Sequence, residues 1–248
     1  MDKYILYAIL PCYNEDKSII DLTEAWRRQE AELLTKNIIL KLLIVNDGSH
    51  DDTFPIATKL AGEHYNIIVV NHEVNKGLGE ALNTGINYVI KQENAKYVCI
   101  MDGDMTQHPQ YIHSMLNKME VEMFDCVIAS RYRPGSNVEG LSFFRRFLSV
   151  GARIVYTMKL GIPNVRDYTC GYRLYKITAL NALSKRYGTS ILKERSFACM
   201  LELLIKLNKE NMKVGEVPFV LKYQLKKGQS KMDVIKTIKR SLSMLRRI

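Results

Sequence analysis

Two carboxylates one residue apart, Asp102 and Asp104, stand at the end of the apolar run Tyr97-Val98-Cys99-Ile100-Met101. A run of that kind reads as a buried strand. The acidic pair is therefore expected where a strand of an open α/β sheet delivers its side chains into the ligand crevice. Hard cations such as Mg²⁺ and Mn²⁺ take oxygen ligands and bind through one or two carboxylates completed by substrate phosphates. The pair offers a place for such a cation and, through it, a phosphorylated ligand. Taken alone, an Asp-x-Asp is as well explained by an acidic turn after a strand.

Four more polar clusters follow apolar runs in the same way. Pro11-Cys12-Tyr13-Asn14-Glu15 supplies an aromatic face and a carboxylate. Asn46 to Thr53 puts Asp47 at a strand end and lets Asp52 or Thr53 cap the next helix. Asn75-Lys76-Gly77-Leu78-Gly79 has glycines suited to a tight turn and close backbone approach, yet Leu82 stands where a dinucleotide fingerprint has its third glycine. Arg131 to Gly135 adds an arginine. Each cluster alone is a turn or a cap, but five loops landing on one sheet edge point to a nucleoside diphosphate bound with a metal.

The elements that must carry these loops are legible as alternation. Apolar runs at 4–10, 38–45, 66–70, 97–101 and 126–129 are separated by helical spacing at 17–35, 53–63, 78–91 and 109–122. That rhythm predicts right-handed βαβ crossovers and a mostly parallel sheet with helices on both faces. The second half is less regular. Leu141 to Leu160 reads as a basic amphipathic helix, and a turn-rich stretch over 161–171 leads through Tyr172 to Tyr175 to helices near 177–186 and 197–209. Val214 to Leu221 reads as a strand, and a last helix is predicted from about Met232. The expected division is a catalytic domain over 1–231 and a basic amphipathic helix or tail over 232–248.

At 248 residues with 47% hydrophobic content, the chain is long enough for one large α/β domain with a proper core. Its five cysteines are scattered through apolar segments and form no zinc-ligand spacing, which predicts reduced core residues and a reducing, cytoplasmic compartment. No signal precedes the first strand, and no run approaches the roughly 18 apolar residues of a membrane span. The net charge is concentrated. Residues 222–248 hold nine Lys or Arg against one acid, Asp233, so they carry +8 of the whole-chain +10. One basic terminal segment points to a tail with its own partner rather than to nucleic acid, and no aromatic RNA-binding motif or zinc knuckle is present. Ile235, Ile238, Leu242 and Leu245 recur at helical spacing among those cations, so the segment suits either an anionic leaflet or packing on the domain.

Taken in order, PCYNE, VNDGSHDDT, NKGLGEALNTG, MDGDMTQHP and ASRY resemble the inverting glycosyltransferases of family 2, which have the GT-A fold, a Rossmann-like sheet that binds nucleotide-diphospho-sugars. RRFLSVGARIVY, RDYTCGYRLYK, EVPF and GQSKM narrow the resemblance to the dolichol- or polyprenyl-phosphate mannosyltransferase group, from Ile5 to about Met232. The resemblance implies transfer of mannose or glucose from a GDP- or UDP-linked sugar to a lipid phosphate. Pro11, Tyr13, Glu15, Val45, Asp47 and Lys76 would border the nucleotide sugar, with Lys231 reaching back to its phosphates. Asp102 and Asp104 would hold Mn²⁺ or Mg²⁺ against the diphosphate, with Gly103 allowing close approach. Arg131 and Arg145 would neutralise phosphate, and Ser149 matches an acceptor-side position. The third metal ligand is Thr106 or Gln107, since the family's Gln falls one residue late. An arginine of the family is replaced by Leu225, leaving Lys226 or Lys227 to stand in for it. The implied location is the cytosolic face of a membrane, held by an anionic surface or by a membrane-embedded partner subunit.

Two other chemistries compete. A family-2 enzyme acting on a saccharide hydroxyl would need a general base, and the acidic pair that supplies one in relatives is absent, Glu202 being its nearest counterpart. MDGDMT also matches the DxDxT of haloacid-dehalogenase-type phosphatases, but that motif belongs after a first strand and here follows the fourth.

Overall fold

The computed structural model describes residues 3–141, 143–228 and 234–245; the side chains of 143–147 and 234–236 lie outside the description. The first half runs β1 (Tyr4–Cys12), α1 (Ile19–Arg27), α2 (Glu30–Thr35), β2 (Ile38–Asp47), α3 (Thr53–Glu63), β3 (Ile67–His72), α4 (Leu78–Val89), β4 (Ala95–Ile100), α5 (Ile112–Val121) and β5 (Cys126–Ser130). The second half continues with β6 (Asn137–Glu139), α6 (Phe143–Leu160), β7 (Arg173–Lys176), α7 (Ile177–Tyr187), α8 (Cys199–Lys209), β8 (Val214–Pro218), β9 (Val220–Lys222) and α9 (Val234–Leu245).

Seven strands form one sheet in the order β3-β2-β1-β4-β7-β5-β8, and β6 and β9 pair separately. β1 is parallel to both β2 and β4, so the chain reverses its direction of travel across the sheet at β1. The carboxyl ends of the strands flanking that reversal open a crevice. Into it emerge the segments after Cys12, Asp47 and Ile100. Leu6, Ala8, Ile9 and Leu10 of β1 and Leu42 to Val45 of β2 are fully buried, which is why these strands read as unbroken apolar runs rather than alternating ones. Fully burying each of these Leu, Ile and Val side chains favours folding by about 1.5–3 kcal/mol.

The α/β class and the mostly parallel sheet agree with the sequence expectation, and three local details do not. The helix expected over 17–35 breaks at Arg28 and Gln29 into α1 and α2. Arg173–Lys176 is a strand, antiparallel to both β4 and β5 and inserted between them. The strand expected over 214–221 divides at Phe219: β8 completes the large sheet and β9 leaves it to pair with β6. Two of the five cysteines, Cys12 and Cys170, line a cavity, and all five are buried as thiols. Among the described residues no helix is long and apolar enough to cross a membrane.

α9 packs on the domain. Ser241 is almost fully buried, Met244 and Leu245 rest against the core, and Arg240 bridges to Glu194 at 2.8 Å. The last helix, which its sequence suits either to an anionic leaflet or to packing on the domain, contributes Thr237, Ile238 and Arg240 to the wall of the same cavity that the sheet edge opens into.

Candidate active site

The first two loops are tied to each other before any ligand is considered. Asn14 sits in the left-handed region at φ 53°, its N–H donating to Ser49 Oγ at 2.9 Å and its Oδ1 accepting from His50 N at 2.8 Å. Glu15 N–H donates to Thr53 Oγ1 at 2.7 Å. Asp51, rather than Asp52 or the Thr53 side chain, accepts from the free Thr53 N–H at the start of α3, at 3.0 Å. These bonds hold Tyr13 and the buried Glu15 at the edge of a cavity of about 520 Å³.

Asp47 is buried and its carboxylate is nearly saturated. Oδ1 accepts from Lys76 N–H at 3.0 Å and contacts His72 Nδ1 at 2.7 Å, while Oδ2 accepts from Gly77 N–H at 2.8 Å. The 75–79 loop is thus fastened to the end of β2. Its glycines make room for protein, not for a ligand: a Cβ on Gly79 would lie 2.0 Å from Glu194 O, and Gly79 N–H donates to Arg195 O.

Asp102 and Asp104 emerge just after β4, where Met101 N–H still pairs with Ile9 O at 3.2 Å. Asp104 Oδ1 accepts from both the N–H and the hydroxyl of Thr106, at 3.1 and 2.7 Å, and Oδ2 is 2.5 Å from Lys226 Nζ. Gln107 is locked to Asp102: its Nε2 donates to Asp102 Oδ2 at 2.8 Å and its Oε1 accepts from Asp102 N–H at 3.3 Å. Met105 between them holds φ 61°, a left-handed conformation that costs a non-glycine residue on the order of 1 kcal/mol. A side chain on Gly171 would meet Asp102 Oδ1 at 2.9 Å, and one on Gly103 would meet Cys12 Sγ at 2.9 Å. Gly103 thus lets the acidic turn rest on the first loop. Burial, the neighbouring charge of Asp104 and that of Glu15 push the Asp102 carboxyl up to about 7, against the pull of Lys226 and Arg131.

The donor set suits a divalent cation. Two carboxylates converge on a pocket, and a lysine ammonium already rests on one of them, as a metal ion would. Among the described residues no third His, Cys, Asp or Glu completes a metal-holding group, which leaves positions for phosphate oxygens. Thr106 and Gln107, either of which the sequence offers as third ligand, both line the cavity and hold the carboxylates, Thr106 on Asp104 and Gln107 on Asp102.

Arg131 follows β5 and is clamped. Asp167, fully buried, accepts from Arg131 Nε at 2.8 Å, Nη2 at 2.6 Å and N–H at 3.0 Å. Burial would raise the Asp167 carboxyl, but the Arg131 charge and hydrogen bonds hold it below the usual range. Asp167 is itself placed by Glu216 of β8, which accepts from the N–H groups of Arg166 and Asp167 and from Arg133 Nε at 2.7 Å. Tyr132 lies between the guanidinium groups of Arg131 and Arg153, at 5.6 and 4.8 Å from its ring centre, and shares a 2.5 Å hydrogen bond with Ser149 of α6.

Pro11, Tyr13, Glu15, Asp47, Asp102, Gly103, Asp104, Thr106, Gln107, Arg131 and Ser149 all line this one cavity. Val45 does not: it is fully buried in β2 beside Pro11, and only the last residue of that strand reaches the opening. Lys76 contributes a backbone N–H to Asp47 while its exposed side chain stays off the wall. The Arg145 side chain and Lys231 lie outside the described residues. Asp167, Glu216, Gly171 and Tyr132 are absent from the sequence-derived list of site residues. All four sit inside motifs that carry the family resemblance, but nothing local marks their partners. Glu202, the nearest counterpart of a base, is fully engaged with the N–H groups of Lys193 and Glu194 and with Lys206 Nζ at 2.6 Å, and it is not on the cavity wall.

Comparison with known proteins gives a consistent picture. The sequence profile of glycosyl transferase family 2 matches residues 7–184. An uncharacterized protein of Methanocaldococcus jannaschii is 28% identical over 218 residues, 88% of this chain and 82% of that one. The UDP-N-acetylglucosamine–dolichyl-phosphate N-acetylglucosaminyltransferase of Methanococcus voltae is 25% identical over 255 residues, 97% of this chain and 96% of that one. Among solved structures, glucosyl-3-phosphoglycerate synthase from Mycobacterium tuberculosis, in complex with Mn²⁺, UDP and glucosyl-3-phosphoglycerate, superposes with a TM-score of 0.70 at 16% identity, over 98% of this chain and 78% of that one.

Proposed function

The chain belongs to glycosyl transferase family 2, and on that premise we propose that it transfers a hexose, with inversion, from a nucleoside diphosphate sugar to a polyprenyl phosphate at a membrane surface. The observation that carries this reading is the mixed character of the cavity. Its lining joins the carboxylates Asp102, Asp104 and Glu15, brought by the strand-end loops, to the apolar Leu148, Ala152 and Tyr156 of α6 and Ile238 of α9. Arg131 relates the two, since its charge acts on Asp102 and its neighbour Tyr132 bonds to Ser149 of α6.

The chemistry assigns each set of residues a task. A phosphate oxygen of the acceptor attacks the anomeric carbon from the side opposite the leaving group. The new carbon–oxygen bond forms as the bond to the diphosphate breaks, and the nucleoside diphosphate departs with the electron pair, through an oxocarbenium-like state. Mg²⁺ or Mn²⁺ held by Asp102 and Asp104 would stabilise charge on the departing diphosphate. Arg131, fixed by Asp167, orients and neutralises the acceptor phosphate. That phosphate is already anionic at neutral pH and needs no general base, in keeping with the engagement of Glu202 elsewhere. A saccharide hydroxyl would need one. The DxDxT phosphatase reading has no support in a family 2 chain.

Beyond the cavity, α6 turns Val150, Ile154, Val155 and Met158 to solvent, Met158 at 81% exposure. Such a stripe, on a helix that also carries Arg153 and Lys159, suits the headgroup layer of an anionic leaflet, each Lys or Arg near the surface adding about 1 kcal/mol. The dolichyl-phosphate acceptor in the name of the Methanococcus voltae relative and the Mn²⁺ and UDP of the Mycobacterium tuberculosis structure support the same reading. A photoreactive polyprenyl phosphate tests it: labelling is expected on peptides from α6 and α9, suppressed by excess unmodified acceptor. Labelling confined to other peptides, or indifferent to competitor, contradicts it.

A further inference from the structure

The chain supplies its own cation to the acid pair. Lys226, just past β9 and 122 residues from Asp104 in sequence, places Nζ 2.5 Å from Asp104 Oδ2, with 13% and 12% of the two side chains exposed. Its charge also acts on Asp102, and the charge of Glu15 acts on it. The contact is selective, since the adjacent Lys227 turns outward to Asp21, where both partners are about half exposed. Asp104 Oδ1 is already occupied twice by Thr106. Oδ2 is therefore the oxygen a divalent cation would take, and Lys226 holds it.

Two cations a few ångströms apart in a partly buried site repel strongly, so ammonium and metal ion exclude one another from that oxygen. We infer that Lys226 is a resident counter-ion that the divalent cation must displace, and that this exchange makes metal binding depend on the nucleotide. Without nucleotide, the metal must break the Lys226–Asp104 pair and leave an ammonium without a partner in a half-buried wall. With nucleotide, the displaced ammonium gains the diphosphate as its new partner. The two ligands thereby favour each other's binding through Lys226, and the coupling is reciprocal. This inference rests on the metal assignment made above and adds the residue that governs it.

Mn²⁺ binding followed by electron paramagnetic resonance, with no nucleotide and then with UDP or GDP, tests the exchange in the full-length protein. Lys226→Met is expected to bind Mn²⁺ alone about tenfold more tightly than the parent. The gain in Mn²⁺ affinity brought by the nucleotide is expected to shrink by a similar factor. Lys226→Arg retains the parental pattern, and Lys226→Gln, which keeps a donor without the charge, follows Lys226→Met should the latter fail to fold. Equal Mn²⁺ affinity in parent and uncharged variants, with the nucleotide effect unchanged, overturns the exchange and leaves the metal site standing. Absence of Mn²⁺ binding in every protein, with or without nucleotide, overturns the metal site and the exchange together.

Discussion

At the strand edge three acidic side chains are held by hydrogen bonds or an ion pair: Asp47 by two N–H groups and His72, Asp104 by Thr106 twice and by Lys226, Asp102 by Gln107. At the roof, the part of the cavity lined by α6 and α9, α9 is joined to the domain through the Arg240–Glu194 bridge, the buried Ser241 and the core contacts of Met244 and Leu245, while α6 leaves several apolar side chains in water. The difference matches the two substrates proposed above. A diphosphate with its metal is compact and highly charged, and it demands groups held to within fractions of an ångström. A long isoprenoid chain asks only for an apolar path that can open to a bilayer.

If the edge is the chemical half, damage there should abolish transfer without unfolding the chain. Asp102→Asn and Asp104→Asn are each expected to lower the transfer rate by roughly 10³-fold, as loss of charge stabilisation on a leaving group does, with the folded circular-dichroism spectrum retained, although Asp104→Asn leaves Lys226 without its carboxylate and lowers the unfolding midpoint. Near-parental transfer by either variant would break the comparison at its stronger side.

Arg131 and Asp167 join the two halves and should register in both stability and chemistry. Asp167→Ala leaves a buried guanidinium without its partner and is expected to cost about 3 kcal/mol in denaturant unfolding, with acceptor turnover falling alongside. The pH dependence sharpens the assignment. Because the Asp167 carboxyl titrates below its unfolded value, its contribution is fully present above the unfolded value near 3.9 and is lost only as pH falls through the lower folded value. The stability gap between the parent and Asp167→Asn should therefore persist through about pH 4 and close in stronger acid. A gap already closed at pH 5 would mean that the clamp contributes little.

At the roof the expected effect is smaller and of a different kind. Ile154→Asp combined with Met158→Asp should weaken binding to anionic vesicles by about tenfold or more, from the apolar area no longer buried. Unfolding stability should stay within about 0.5 kcal/mol, since both side chains are exposed. Unchanged vesicle binding would show that α6 meets the membrane by another face or not at all.

The same contrast explains what the sequence disclosed. The edge was legible because apolar runs and the loops after them obey a fixed geometry, and the carboxyl ends of parallel strands share one crevice. Even there Val45 misled. It lies two residues from Asp47 and so on the same face of β2, but only the strand's last residue clears the covering core. Asp167 and Glu216 were illegible as site residues because their partners lie 36 and 83 residues away, and no local pattern encodes a pairing at that range. Lys226 and Lys227 were indistinguishable as adjacent lysines, one pointing into the site and the other to Asp21 on the surface. β7 escaped notice because four residues, Arg173 to Lys176, carry too short a period to separate a strand from a turn.

Sugar transfer itself tests the central claim most directly. Radiolabelled GDP- and UDP-sugars would be offered with Mn²⁺ or with a chelator, against polyprenyl phosphate in anionic vesicles, oligosaccharides and 3-phosphoglycerate in parallel. The account predicts label in the lipid fraction, with inverted anomeric configuration and loss of product on chelation. Product confined to the saccharide or phosphoglycerate fraction, or transfer to lipid undiminished by the chelator, would contradict it.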